Sequence, residues 1–414
     1  MGWDLVRQSF VNEVVLCERV KLYDVVVIGG GPAGSYVAYK LAGMGYGVMV
    51  LEQKEKPGEK VCCTGIIGRE CVNSFAVDDS VILRQANSAR LFSPSGKLLR
   101  FWREKTQAYI IDRAVFDYTM ASRAQDKGAE YVLNSLVTDI EVGNDRVSLD
   151  VVRQGERLSF EARVVVIASG FGSTLAERLG CGKVSDFVIG AQSEVETNGV
   201  GEIELYFGQK VAPGFFAWLA PTSPHRALVG LLTHHNPGLY LKTLMSSLMV
   251  QGKIFSAEAE VRYGGIMLKP LARSYSERCI VVGNAAGQVK PTTGGGIYYA
   301  LLGADIAANT LHQALKCDDL SARNLASYQR GWKRKLGQEL KVDYWARKFY
   351  ERLSDRQIDK FFDTIKSNGI DEVLLKAEDL SFDWHSEAVL RLMRHKAISK
   401  AIEVMKIPFR GSIG

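Results

Sequence analysis

The 414-residue sequence has no apolar run near the ~18 residues that a membrane-spanning helix requires. It has no Cys-x-x-Cys and no His-x-x-x-His spacing, which argues against a zinc site, and its odd cysteine count of 7 does not suggest a disulfide framework. Low-complexity tracts and internal repeats are missing, and 47% apolar with 24% charged residues is the composition of a globular chain. A formal net charge of +6 without a long basic run is too weak for a nucleic-acid partner. It remains compatible with an anionic membrane surface or a phosphorylated substrate. The first 21 residues carry Glu13 and Glu18 and no continuous apolar core, unlike a secretory leader. Residues 1–20 are expected to be an extension without function, and the free-cysteine pattern points to a reduced, cytoplasmic setting.

What is present begins at Tyr23. Val25 to Ile28 is a continuous apolar run, as in a strand buried on both faces. Val37, Ala38, Leu41 and Met44 follow at helical spacing, and Val48 to Leu51 is a second apolar run closed by Glu52. Between strand and helix lies Gly29-Gly30-Gly31-Pro32-Ala33-Gly34, a G-x-G-x-x-G pattern in the context that gives it meaning. Gly29 and Gly31 let backbone approach a pyrophosphate, Gly34 lets helix and strand pack closely, and the helix N-terminus offers free N–H groups. Glu52 suits ribose hydroxyls, with Gln53 beside it.

The pattern alone does not separate NAD from FAD. A second platform decides for FAD: the apolar run Cys279 to Val282, then Gly283-Asn284-Ala285-Ala286-Gly287, then Pro291 and Gly294-Gly295-Gly296-Ile297. FAD is long enough to need two corners. Asn284 is assigned to the ribityl hydroxyls, and the amides of Gly295, Gly296 and Ile297 to the flavin's N1–C2=O side, where negative charge grows on reduction.

Elsewhere, residues 53–75 read as a long functional loop and Ala108 to Gly128 as a helix. Val132–Glu141 and Val147–Val152 read as paired strands, and Ala162–Ala168 as a buried parallel strand. Glu202–Phe207, Ala217–Leu219 and Ala227–Leu232 suggest an antiparallel sheet, and residues 319–407 read as helices. The expected fold is α/β: an FAD-binding Rossmann-like domain of the glutathione-reductase type (21–185 and 268–318), an inserted antiparallel β-sheet substrate domain (186–267) and a C-terminal helical region (319–414).

In order along the chain, these motifs resemble the geranylgeranyl reductase family of FAD-dependent oxidoreductases, within the para-hydroxybenzoate hydroxylase-like superfamily. Lys60-Val61-Cys62-Cys63-Thr64-Gly65 is similar to the family's K-x-C-G-G segment, with Cys63 and Thr64 in place of two glycines. Arg113 to Asp117 is similar to its R-x-x-F-D element, which implies cofactor contact at Arg113 and places Val137 near the adenine. Pro213 to Pro221 is similar to P-G-x-Y-x-W-x-F-P, with Phe216 for Tyr and Ala220 for Phe. Asn284 stands where the family has Asp, and Ser169-Gly170 where the superfamily has Asp-Gly, which weakens the expectation of direct NADPH use.

The resemblance implies saturation of isoprenoid carbon–carbon double bonds on a lipid, a prenyl diphosphate or a quinone, with electrons from ferredoxin, from another reduced carrier or, as the less favoured source, from NADPH directly. Such a site must be apolar, dry and close to the flavin, and must hold a proton donor. Tyr206, Phe216, Trp218 and Pro221 are the candidate substrate wall, or else ordinary sheet core. Cys62 is the candidate donor; Cys62, Cys63 and Gly65 are also expected against the cofactor. The basic, aromatic helices (Trp332, Lys333, Arg334, Lys335, Tyr344, Trp345, Arg347, Lys348) fit either peripheral contact with the inner face of a membrane or a solvated cap. Two other functions share the pattern: a flavin monooxygenase or halogenase, and a non-catalytic electron-transfer flavoprotein.

Overall fold

The structure is a computed structural model that describes residues 21–377 and 380–404. The expected extension, 1–20, lies outside them. Strand β1 (Leu22–Ile28), helix α1 (Pro32–Gly43) and β2 (Val48–Leu51) form the anticipated opening unit. Then come β3 (Ile66–Gly68), α2 (Arg69–Ser74), β4 (Ile82–Ala86), β5 (Ser88–Phe92), β6 (Leu98–Trp102), β7 (Ala108–Ile111) and α3 (Arg113–Gln125). Four strands follow, β8 (Glu130–Val132), β9 (Ser135–Val142), β10 (Val147–Arg153) and β11 (Glu156–Ile167), and the short α4 (Leu175–Arg178). The second lobe contributes β12 (Phe187–Glu196), β13 (Ile203–Phe207), β14 (Phe216–Ser223), β15 (Arg226–Thr233), α5 (Pro237–Val250) and β16 (Arg262–Met267). The chain returns through β17 (Tyr275–Ser276) and β18 (Cys279–Val281) to α6 (Ile297–Lys316), and ends in α7 (Ala322–Tyr350), α8 (Asp355–Ser367), α9 (Ile370–Lys376), α10 (Ser386–Arg394) and α11 (Lys396–Val404).

The first sheet has the order β17-β18-β11-β1-β2-β8, with β10 and β9 continuing antiparallel from β11. Its central strands are parallel and covered on both sides, which is why they read as unbroken apolar runs. Val25, Val27, Val164 and Val166 pack on α1 and α6, while Val26, Val165 and Ile167 face the β9–β10 ribbon.

The second sheet has the order β16-β12-β15-β14-β13-β5-β6, antiparallel except where β13 meets β5. Its last two strands come from residues 88–102, outside the 186–267 segment that the sequence suggested. One face packs on α5 through Ala217, Leu219, Leu231, Leu241 and Leu248. The other carries Val188, Phe216, Trp218, Leu232 and Ile266 and faces the first domain.

Three local expectations change. The helix anticipated from Ala108 opens as strand β7, which pairs with β3 and β4; the helix starts only at Arg113, where the Asp112 side chain accepts from the N–H groups of Ala114 and Val115. The 53–75 loop ends in β3 and α2, because Ile66–Gly68 finds its partner about forty residues downstream. The C-terminal region is helical as expected but is not separate: Leu325, Tyr328, Trp332, Leu336 and Leu340 of α7 belong to the core of the first domain. Among the described residues no helix is long and apolar enough to cross a membrane, and no cluster of side chains suits a metal ion.

Candidate active site

The crevice lies at the carboxyl ends of β1 and β11, where parallel sheets place their ligands. Gly29 turns at φ +103°, and a Cβ there would stand 2.5 Å from the Ala168 carbonyl oxygen. Gly34 is tighter still: its Cβ would meet the Gly29 carbonyl at 2.0 Å. Gly31, the residue before α1, has nothing within 4 Å. No side chain caps α1, so its first amides face the opening. From sequence, Gly29 and Gly31 share one duty and Gly34 has another; the structure crowds Gly29 and Gly34 and leaves Gly31 open.

A cleft of about 500 Å³ is lined by Gly29, Gly31, Glu52, Gln53, Val137 and Ser169, and also by residues that sequence reasoning missed, among them Lys54, Asp117 and the 170–175 segment. That segment follows the C-terminal end of β11, a position that was itself the available signal. The Ser169 hydroxyl is buried with no protein partner. An unpartnered hydroxyl, uncapped helix amides and a glycine floor fit the diphosphate and ribose portions of FAD. Glu52 has a further duty: it accepts from the Gly30 N–H at 2.7 Å and the Lys54 N–H at 2.9 Å, and so shapes the loop itself.

The second corner packs directly on the first, since a Cβ at Gly283 would be 3.1 Å from Ala33 Cβ. Asn284 is engaged otherwise than expected. Its Nδ2 donates to the Gly265 carbonyl at 2.8 Å and its Oδ1 accepts from the Met267 N–H at 3.1 Å, so the side chain pins β16 to the turn. The loop from Pro291 to Gly296 then enters α6, whose N-terminus has no side-chain cap. Gly294, at φ +73°, lies against Leu232 and Ile266 of the second sheet.

The 60–65 loop bridges the cleft and that sheet. Val61 lines the cleft. Thr64 donates to Gln192 Oε1 at 2.9 Å, and Cys62 packs on Gly264 and donates to the Arg262 carbonyl at 3.3 Å. Burial, then the neighbouring Cys63 and against the pull of Arg262, pushes the Cys62 thiol up to about 12. The Gly65 N–H contacts Cys63 Sγ. Arg113 forms a buried bidentate pair with Asp117 at 2.9 and 3.1 Å, so its guanidinium is anchored within the protein beside the cleft that Asp117 lines.

The four proposed wall residues fall on two faces. The register pairs Trp218 with Leu205 and Phe216 with Phe207, which puts Tyr206 opposite Ala217 on the α5 side. There the Tyr206 hydroxyl bonds Glu204, accepts from Lys253 at 2.9 Å, and its ring stacks on Phe92. Pro221 is on that same side, opposite Ala227. Phe216 and Trp218 alone face the first domain, because side chains alternate along a strand. The basic aromatic stretch divides: Lys333, Arg334 and Lys335 are exposed, as a solvated cap requires, whereas other members are engaged inside the protein. Trp332 is buried and donates to Ser274 Oγ, Arg347 lies 3.4 Å from the Phe215 ring centroid, and Lys348 pairs with Asp186 at 2.7 Å.

Residues 23–201 match the family model described as pyridine nucleotide-disulphide oxidoreductase. The chain is 32% identical over 365 residues to the digeranylgeranylglycerophospholipid reductase of Methanocaldococcus jannaschii, covering 84% of this chain and 93% of that protein. Its structure superposes on a geranylgeranyl bacteriochlorophyll reductase-like protein from Thermoplasma acidophilum with a TM-score of 0.81, at 23% identity, over 93% of this chain and 99% of that one. A flavin-dependent halogenase shares the fold more distantly, with a TM-score of 0.64 at 18% identity, over 94% of this chain and 78% of that one.

Proposed function

The chain belongs to the geranylgeranyl reductase family, and on that premise we propose that it is an FAD-dependent reductase that saturates carbon–carbon double bonds of geranylgeranyl-type chains on a membrane-lipid precursor. The observation that carries this reading is the 60–65 loop, which joins the nucleotide cleft at Val61 to the inner sheet face at Cys62 and Thr64.

When bound and reduced, FAD supplies the hydride that an isolated trisubstituted alkene needs beside a proton. The chain's own residues supply the rest. Gly29, Gly31 and the first turn of α1 take the diphosphate, and Glu52 holds the loop that presents it. Phe216, Trp218, Leu232 and Ile266 give an apolar face from which water is excluded. Cys62, held protonated by burial, stands against Gly264 at the edge of that face as the candidate proton donor.

The substrate we favour is a glycerophospholipid carrying two geranylgeranyl chains, supported by the curated relative's name. Electrons are assigned to a protein carrier such as ferredoxin rather than to NADPH, because Ser169 replaces the acid expected before Gly170. Peripheral membrane contact is assigned to α5, which carries the exposed Leu239, Met249 and Val250, lies next to the exposed Phe255, and has no acidic residue.

The test is mass spectrometry of geranylgeranyl glycerophospholipid incubated with dithionite-reduced protein. A gain of two hydrogens per double bond is expected, and an unchanged lipid in the presence of fully reduced flavoprotein overturns the reading. Bleaching of the flavin by NADPH at the rate seen with reduced ferredoxin would remove the donor assignment. Failure to sediment with anionic liposomes would remove the membrane contact.

A further inference from the structure

Behind the second glycine corner lies a buried polar chain that no step above uses. Thr292, in the loop between Pro291 and Gly296, places its hydroxyl 2.8 Å from His385 Nδ1 and 3.1 Å from Asp343 Oδ2. His385 Nε2 is 2.9 Å from the Phe382 carbonyl, which also accepts from Lys290 Nζ at 3.0 Å. Asp343 is completely buried, and its Oδ1 has no partner.

Counting hydrogens leaves two arrangements. A carbonyl only accepts, so His385 Nε2 carries a hydrogen. In a neutral imidazole Nδ1 is then bare and accepts from the Thr292 hydroxyl. That uses the only hydrogen Thr292 has, so its contact with Asp343 is a hydrogen bond only if Asp343 is protonated and donates. The alternative has an imidazolium donating to Thr292 and Thr292 donating to an Asp343 carboxylate. The two arrangements interconvert by one concerted shift: the Asp343 O–H bond breaks, the His385 Nδ1–H bond forms, and Thr292 exchanges one hydrogen for another. Net charge on the three groups is zero in both.

Burial selects the neutral pair, because two opposite charges in a dry interior each lose hydration. Burial and then Lys290 push His385 down to about 3. Burial and then Glu339 push Asp343 up to about 7, with Thr292 and Lys290 opposing. Other groups face the cluster from each packed element. Glu339 of α7 accepts from the N–H groups of His385 and Ser386. Asp383 accepts from the Glu70 N–H at the start of α2, near Cys71, and Tyr299 of α6 lies under Lys290.

We infer that Asp343 is a positioning residue whose protonated form donates to Thr292, and that where this carboxyl is ionised in the resting protein, negative charge arriving at the glycine loop that the FAD reading sets against the flavin draws a proton onto it, so that flavin reduction is accompanied by proton uptake at Asp343. The coupling rests on the FAD reading above; the location of the proton does not. The physical cause is that negative charge gathering at the loop disfavours a carboxylate behind it.

The experiment is a reduced-minus-oxidised infrared difference spectrum of the FAD-loaded protein at about pH 6 and about pH 8, either side of the ionisation. At the higher pH, reduction should produce the C=O band of a protonated carboxylic acid. At the lower pH the band should not change. In Asp343→Asn, whose amide replaces the donor to Thr292 and so preserves the fold, the band should be lost. The flavin midpoint potential should fall more steeply with pH above neutrality in the parent protein than in this variant. A reducible, yellow parent protein without the band, or a band that persists in Asp343→Asn, overturns the inference. A protein that binds no flavin overturns the FAD reading instead. In that event, a carboxyl band that titrates with pH in the flavin-free protein and is missing in Asp343→Asn still upholds the resting proton, and its absence overturns it.

Discussion

The indole of Trp218 covers Gly230 so closely that a Cβ there would stand 2.4 Å from the indole Cζ2. The two residues are Cα partners across β14 and β15, in a row that continues to Gln192, the acceptor for Thr64 of the bridging loop. A glycine in a central strand is thus the seat that lets the indole lie against the sheet.

Gly230→Ala should therefore displace the indole rather than the cofactor. The flavin-to-protein ratio should stay near that of the parent, while prenyl-lipid turnover falls about tenfold or more and stability drops by about 1–3 kcal/mol. Flavin absorbance, product mass and a melting curve measure the three. Unchanged turnover would take Trp218 out of the substrate wall.

Gly31 and Gly34 should separate binding from folding. Gly34→Ala drives a methyl to 2.0 Å from a backbone oxygen and is expected to cost about 3 kcal/mol or more. Gly31→Ala meets open space, with φ −72° that any residue tolerates. It should melt like the parent yet emerge colourless, because its methyl occupies the path to the helix amides. Flavin content set against melting temperature makes the comparison.

Tyr206→Phe should leave turnover intact, since Tyr206 lies on the α5 face. It deletes a hydroxyl that bonds the buried carboxylate of Glu204 and accepts from Lys253. A loss of about 1.5–3 kcal/mol in denaturant unfolding is expected for a buried bond to a charged group. Lost activity with unchanged stability would return Tyr206 to the substrate side.

Cys62 should behave as a proton holder and not as a thiolate. Its thiol is raised to about 12, so it stays protonated below that pH, and no alkaline limb in turnover below about pH 10 should belong to it. Alkylation at about pH 8 should mark the exposed Cys317 well before Cys62, read by peptide mass spectrometry. Cys62→Ser should keep its flavin and lose turnover; a variant with full turnover would end its chemical role.

The local order of residues was enough to determine the nucleotide corner. Gly29, Gly31, Gly34 and Glu52 lie within one strand–helix–strand unit, where period and glycine spacing specify the backbone. The strand, turn and helix entry from Cys279 to Ile297 were legible for the same reason. Placement across sheets was not. Which side of β13 Tyr206 takes depends on a pairing register with β14, and a one-residue change of parity reverses it. β7 was hidden because its partners lie at 66–68 and 82–86, outside any helical window that contains Ala108. Asn284 was read as a ligand because β16, which claims its amide, folds back on the turn only in three dimensions. The Asp343–Thr292–His385 chain joins residues up to 93 positions apart, so only packing brings one shared proton beneath the glycine loop.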